Sequence, residues 1–317
     1  MSAATATPPT VAAASVKRRP WRRLLRRRLG LLGAAVILAL ALAAIFAPRL
    51  APYEPLAGRL SDILLPPAWM DGGSGAHLLG TDKLGRDEVS RLIYGTRVSL
   101  AAGLSAAVIA AVIGVPLGVV GGYMGGRVDS AIAVALNIVL GFPFILLALL
   151  IAAVVGPGFR NVIVILGVAG WPIYTRVIRA QVLELRERDF VKLARAMGLS
   201  HRRIMLRHVL PGVWATFLVI ASLQVGQMIL AESFLSFLGL GVQPPQPSWG
   251  GMLSDGRSLI FTHGWLTFFP GLAIFVTVLS VNLLGDGLRD GLDTEFDFER
   301  TTPTGDVVRV AKPESKE

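Results

Sequence analysis

The chain is expected to be an all-α membrane protein of six transmembrane helices, with its N and C termini both cytoplasmic. Two observations carry this. Mean hydropathy is +0.61 and 53% of the 317 residues are hydrophobic, well above the average of soluble domains. The cations are also clustered: eight Lys/Arg fall between Lys17 and Arg28 with no acid among them, and nine more lie between Arg176 and Gly212. Positive clusters beside apolar runs stay on the cytoplasmic side, so they set topology, and the net charge of +10 does not indicate a nucleic-acid partner.

Residues 1–28 read as a disordered, basic cytoplasmic N-terminus. The apolar run over 29–47 is close to the ~20 residues that cross a bilayer and longer than a signal-peptide core, so it is expected to be an uncleaved first span. Residues 48–96 are Pro- and Gly-rich and nearly charge-balanced, as befits an extracytoplasmic loop. Within it, Gly85 breaks a turn that brings Asp82, Arg86, Asp87 and Arg91 within pairing distance, and Thr81 or Asp82 can cap the helix that follows.

A core of five further helices is expected over 97–293. Its spans run near 100–120, 131–155, 162–178, 213–238 and 266–284. In the first of these, Gly114, Gly118 and Gly122 form a small-residue face suited to close helix packing. Pro172 marks a kink in the 162–178 span. Residues 241–265 read as an outer loop, and 294–317 as a disordered cytoplasmic tail.

The polar stretch between the fourth and fifth spans organises the rest. Phe190, Leu193, Ala194 and Met197 recur at helical spacing with charges between them. Gly198 suits the left-handed stop of that helix, Ser200 can cap a second short one, and Pro211 is expected to end it. These residues carry a resemblance. Lys192, Leu193, Ala194, then Gly198, then His208, Val209, Leu210 and Pro211 align with the E-A-A-x3-G-x9-I-x-L-P signature in the coupling loop of binding-protein-dependent ABC importer permeases. Ala194, Gly198, Leu210 and Pro211 match; Lys192, Leu193 and His208 depart from it. The segments HLLGTDKLGRDEVSRLIYGTRVSL (77–100), LAESFLSFLGLGVQPPQPSWGGMLSDGRS and FPGLAIFVTVLSVNLLGDGLRDGLD are similar to the C-type transmembrane subunit of the dipeptide/oligopeptide/nickel branch.

The resemblance implies a type I ABC importer permease in the cytoplasmic (inner) membrane of a prokaryote, with peptides as cargo. Nickel chelates, opines or other small solutes are its alternatives. It implies a homologous B-type permease as partner, two ATPase subunits and an extracytoplasmic solute-binding protein. The coupling loop, 179–211, would dock on an ATPase through Phe190, Leu193, Ala194, Met197 and Gly198, with Arg195, Arg202 and Arg203 as a basic rim.

The sequence argues against other classes. There is no G-x4-G-K-[ST], so ATP and Mg are expected on partner subunits rather than on this chain. The absence of cysteine excludes disulfides, thiol catalysis and Cys-ligated metal. His77, His201, His208 and His263 fall in loops on opposite sides of the membrane, so no metal site is expected. An intramembrane enzyme lacks its catalytic constellation, and a dedicated ion channel lacks its charged pore lining. The polar residues Asn137, Gln224, Gln227, Glu232 and Asn282 sit in expected spans. There they serve either the translocation path or interhelical hydrogen bonds, Glu232 finding a partner near Gln227 or Asn282 in the second case.

Overall fold

The computed structural model describes the backbone of residues 20–298 and the side chains of 28–290. Twelve α-helices are present among them: α1 Pro20–Ile45, α2 Ala47–Leu50, α3 Glu88–Met124, α4 Gly126–Leu140, α5 Phe144–Val155, α6 Phe159–Leu185, α7 Asp189–Ala196, α8 His201–Ile204, α9 Leu210–Gly212, α10 Trp214–Phe237, α11 Trp249–Gly256 and α12 Trp265–Phe298. No β-strand forms among the described residues beyond two isolated bridges. α1, α3, α6, α10 and α12 are each long and apolar enough to cross a membrane, and the bent pair α4–α5 makes a sixth crossing if counted as one.

The bend between α4 and α5 is 84°, so 131–155 is not a straight span. Pro143 has no N–H to continue the ladder, and its ring disfavours helical backbone at Phe142. α6, by contrast, runs unbroken through Pro172. α3 is longer than its apolar stretch, since 37 residues extend about 55 Å against a hydrocarbon core of about 30 Å. It begins at Glu88 because the Asp87 carboxylate accepts from the Ser90 amide at 2.8 Å. Asp87 is therefore its cap, in place of Thr81 or Asp82.

Further boundaries differ from the sequence reading. Pro20 opens α1 inside the stretch assigned to a disordered N-terminus, because proline fits a helix's first turn. Residues 294–298 continue α12; the rest of the expected tail, and residues 1–19, lie outside the described residues. Within 241–265, Ser248 caps α11 by accepting from the Gly251 amide at 3.1 Å. Pro211 does not end the second coupling helix. A wide π-type turn, Met205–Val209, carries the chain into α9, where Pro211 sits in the first turn and needs no amide partner.

The most extensive packing is between α3 and α6. Gly114, Gly118 and Gly122 face α6 of the same chain. A Cβ on Gly118 would lie 2.9 Å from the Ile178 Cβ, and one on Gly122 2.8 Å from the Val182 Cβ. The Thr175 hydroxyl donates to the Gly114 carbonyl at 2.9 Å across this contact. α10 closes the core with Met228 and Leu235, and α1 lies along α12.

Gly118→Leu should overpack this contact at a cost of about 1–3 kcal/mol and lower the thermal midpoint of the purified protein by several degrees. Gly75→Ala, where a Cβ meets nothing within 4 Å, should leave it unchanged. A Gly118→Leu protein as stable as the parent would show that α3 and α6 are not in contact there.

Candidate functional site

The segment joining α6 to α10 folds back on the end of the bundle instead of hanging free. Val191, Ala194, Ile204, Val209 and Val213 are buried against Val119, Tyr123, Ile178 and Val182. Charge and apolarity alternate along α7 with a helical period, so one face is buried and the other is left uncovered. On that uncovered face Phe190, Leu193 and Met197 are 47%, 62% and 71% exposed. Gly198 follows at φ +77 with open space around it, and this left-handed residue sets the angle between α7 and α8.

One residue assigned to a docking face by sequence sits elsewhere. Ala194 is 3% exposed and packs on the bundle, because the inner face of α7 needs a small residue against the end of α3. Arg195 is exposed beside it, and its guanidinium also lies 4.7 Å over the Tyr123 ring. Arg202, Arg203 and Pro211 are exposed, while His208 and Leu210 are half-buried. Lys192 reaches Glu187 at 3.5 Å in a solvent-exposed pair. Ser200 occupies the cap position of α8, but its side chain makes no capping bond.

Tyr123, at the end of α3, is the residue that sequence reasoning missed. It is 3% exposed, shares a hydrogen bond of 3.1 Å between its hydroxyl and His201 Nδ1, and lies beneath Arg195. It thus touches both α7 and α8 and holds them at a fixed place. The only sequence signal was an aromatic hydroxyl at the end of an apolar run, which read as an ordinary turn.

The polar positions within the spans are not brought together. Glu232 is fully buried and is held by the hydroxyls of Ser236 at 2.7 Å and Ser233 at 3.4 Å, with Ser99 as a third donor. Its partners are therefore serines and not Gln227 or Asn282. Gln224 is buried, Gln227 exposed and Asn282 half-buried beside Gly226. Asn137 lines a cavity of about 480 Å³ between α4 and α6, together with Arg176 and Arg179.

At the opposite end of the bundle a buried ionic cluster ties residues 48–96 to α3 and α11. Asp82 accepts from Arg86 at 2.7 Å and from Arg91, and Asp255 bridges Arg91 at 3.0 Å, Lys83 at 3.2 Å and Arg86 at 3.4 Å. Burial raises the Asp255 pKa, but the Arg91 and Lys83 cations outweigh it and hold the carboxyl below its ordinary value. Asp87 instead pairs with His77 at 2.9 Å.

This helical bundle with a folded-back loop has known counterparts. Residues 114–297 match the family of binding-protein-dependent transport system inner membrane components. Residues 15–67 match the N-terminal TM domain of oligopeptide transport permease C. The chain is 41% identical over 296 residues to the di/tripeptide transport system permease protein DppC of Pseudomonas aeruginosa, covering 93% of this chain and 98% of that one. The chain belongs to the binding-protein-dependent transport permeases. It is also 47% identical over 276 residues to the dipeptide permease DppC of Escherichia coli K12, covering 87% and 92%. To the glutathione permease GsiD of Pectobacterium atrosepticum it is 40% identical over 294 residues, covering 92% and 96%. Among solved structures, a chain of the inward-facing MetNI methionine ABC transporter superposes with a TM-score of 0.53 at 19% identity, over 62% of this permease and 93% of that chain. That likeness shows the type I importer fold.

Removing the Tyr123 post tests how firmly this permease holds its loop. The Tyr123 hydroxyl bonds His201 at 3.1 Å and accepts a long bond from Arg195 Nε at 3.4 Å, and with the cation–π contact these are worth about 1–2 kcal/mol. Tyr123→Ala should therefore speed amide hydrogen exchange across 189–204 about tenfold and leave α10 unchanged. Exchange that stays at the parent rate would mean that Tyr123 does not hold the loop.

Proposed function

We propose that this permease is the non-catalytic transmembrane subunit of an ATP-driven importer of di- and oligopeptides. It would be a multi-pass protein of a prokaryotic inner membrane. The observation that carries the coupling role is the stripe of Phe190, Leu193 and Met197, exposed and apolar on a helix that is itself pinned to the bundle. An apolar stripe on a rigid support fits a groove on a partner, and the partner here is an ATPase subunit. Two such ATPases bind ATP and Mg; a homologous B-type permease completes the pathway, and a solute-binding protein delivers cargo. Peptide cargo is supported by the relatives, whose names specify dipeptides, di/tripeptides and glutathione, itself a peptide.

The mechanism follows from stiffness. When ATP draws the two ATPases together, a docked α7 moves with them. Because Val191 and Ala194 are packed on Val182 and Tyr123, that displacement passes directly to α3 and α6. The bundle then rocks as a rigid body, opening the path alternately to each side.

Counting α4–α5 as one crossing gives six spans, with the α7–α9 segment and both termini on one side, and the basic clusters at 17–28 and 176–212 favour the cytoplasm for that side. A reporter fused after Arg195 should read cytoplasm, and one within 55–75 should read outside. An external reading at Arg195 would defeat the coupling assignment.

The docking itself is tested by Leu193→Asp, which places a charge on the uncovered stripe without entering the core. In vesicles holding the assembled transporter, it should reduce binding-protein-stimulated ATP hydrolysis and peptide uptake at least tenfold at normal protein levels. Gly198→Val, a β-branched side chain at positive φ, should do likewise by rotating α8. Parent rates for both variants would mean that the segment does not transmit ATP hydrolysis.

A further inference from the structure

Arg176 is a cation in the membrane-crossing helix α6, two residues inside the expected span end at 178 and about 14 Å along the helix from Leu185 at 1.5 Å per residue. A charge there is costly unless it pairs or faces water. Arg179, one turn further on, is paired: its Nη2 reaches the Asp129 Oδ2 at 2.7 Å. Arg176 has no carboxylate partner among the described residues and is exposed. It opens into the cavity of about 480 Å³ shared with Asn137, Arg179, Ala133, Leu136 and Gly141.

Three features of this cavity point to a ligand. Its volume is in the range of small-molecule sites. With Arg179 neutralised by Asp129, the cavity carries one uncompensated positive charge, on a planar fork that matches a carboxylate. Its wall also includes Gly141, at the break between α4 and α5. Interrupted helices are tolerated at membrane depth where they line a water-filled cavity. Asn137 adds an amide that donates to an oxygen of the ligand and accepts from an N–H.

We propose that Arg176 and Asn137 form a station on the pathway that holds the terminal carboxylate of the peptide in transit. Arg176 pairs with the carboxylate and Asn137 with the adjoining peptide group. This rests on the peptide-cargo reading above. Since every free peptide ends in a carboxylate whatever its side chains, the station takes cargo of mixed sequence. A lipid phosphate would offer similar chemistry, and the experiment separates the two.

The test uses the complete transporter in proteoliposomes, with radiolabelled dialanine and its binding protein outside. Arg176→Gln should lower uptake at least tenfold while binding-protein-stimulated ATP hydrolysis stays within twofold, and Arg176→Lys should retain at least a third of the uptake. The loss should be equal in phosphatidylcholine vesicles with and without phosphatidylglycerol. A second measurement does not depend on transport. The chain has no cysteine, so Asn137→Cys supplies its single thiol. That thiol should react several-fold faster with an anionic methanethiosulfonate than with a cationic one. Dialanine should slow the reaction, and dialanine amide should not.

Parent uptake in Arg176→Gln would overturn the proposal, as would hydrolysis falling in step with uptake. No rescue by lysine, a loss seen only with anionic lipid, or equal protection by the amide would do the same. If the parent transporter takes up no peptide at all, the peptide reading falls and takes this station with it. If the parent transports peptide and the variants match it, only the station falls.

Discussion

Three glycines four residues apart bring the backbone of α3 against α6, and the remaining helices are placed by that approach. A side chain at Gly114, Gly118 or Gly122 would meet Tyr174, Ile178 or Val182, so the two helices can be this close only where α3 has none. Van der Waals contact and the Thr175–Gly114 hydrogen bond hold helices whose apolar surfaces gain little from burial in lipid. With α3 and α6 fixed as a pair, α10 packs across them and both ends of the pair become rigid platforms.

The platforms are built from different forces. At one end Tyr123, Val182 and Ile178 receive the α7–α9 segment through apolar contact, the hydrogen bonds of the Tyr123 hydroxyl and one cation–π interaction. At the other, Asp82, Arg86, Arg91 and Asp255 receive the 48–96 segment and α11 through charge. Trp249 is locked beside that cluster, its indole N–H donating to the Leu92 carbonyl at 3.2 Å. Apolar packing leaves α7 free to show its outer stripe to a partner, whereas the ionic end is directional and sets one geometry for the loops around it.

The bundle was legible in the sequence because length and apolarity together specify a membrane helix. The glycine face was legible because its four-residue spacing has few other uses. What sequence could not show was direction. Ala194 and Leu193 are adjacent and both apolar, yet one faces the bundle and the other solvent, which depends on where α3 ends. Glu232 is the same case: its serine partners come partly from α3, far away in the chain, so neighbouring Gln227 was a poor guide. Pro143 was visible, but a proline alone does not say whether the chain bends by 84° there or runs on, as α6 does through Pro172.

The ionic cluster has a consequence for the order in which the chain is made. Asp255 lies 164 residues after Arg91, so at ribosomal rates of about 5–20 residues per second the acid emerges roughly ten to thirty seconds after the arginine. Until then Arg91 and Arg86 have the Asp82 carboxylate to pair with and lack Asp255. Arrival of α11 adds the second carboxylate and ties the 48–96 segment to the chain that follows α10. The cluster therefore marks that synthesis has passed α11, and a chain cut short before it leaves both arginines one acid short.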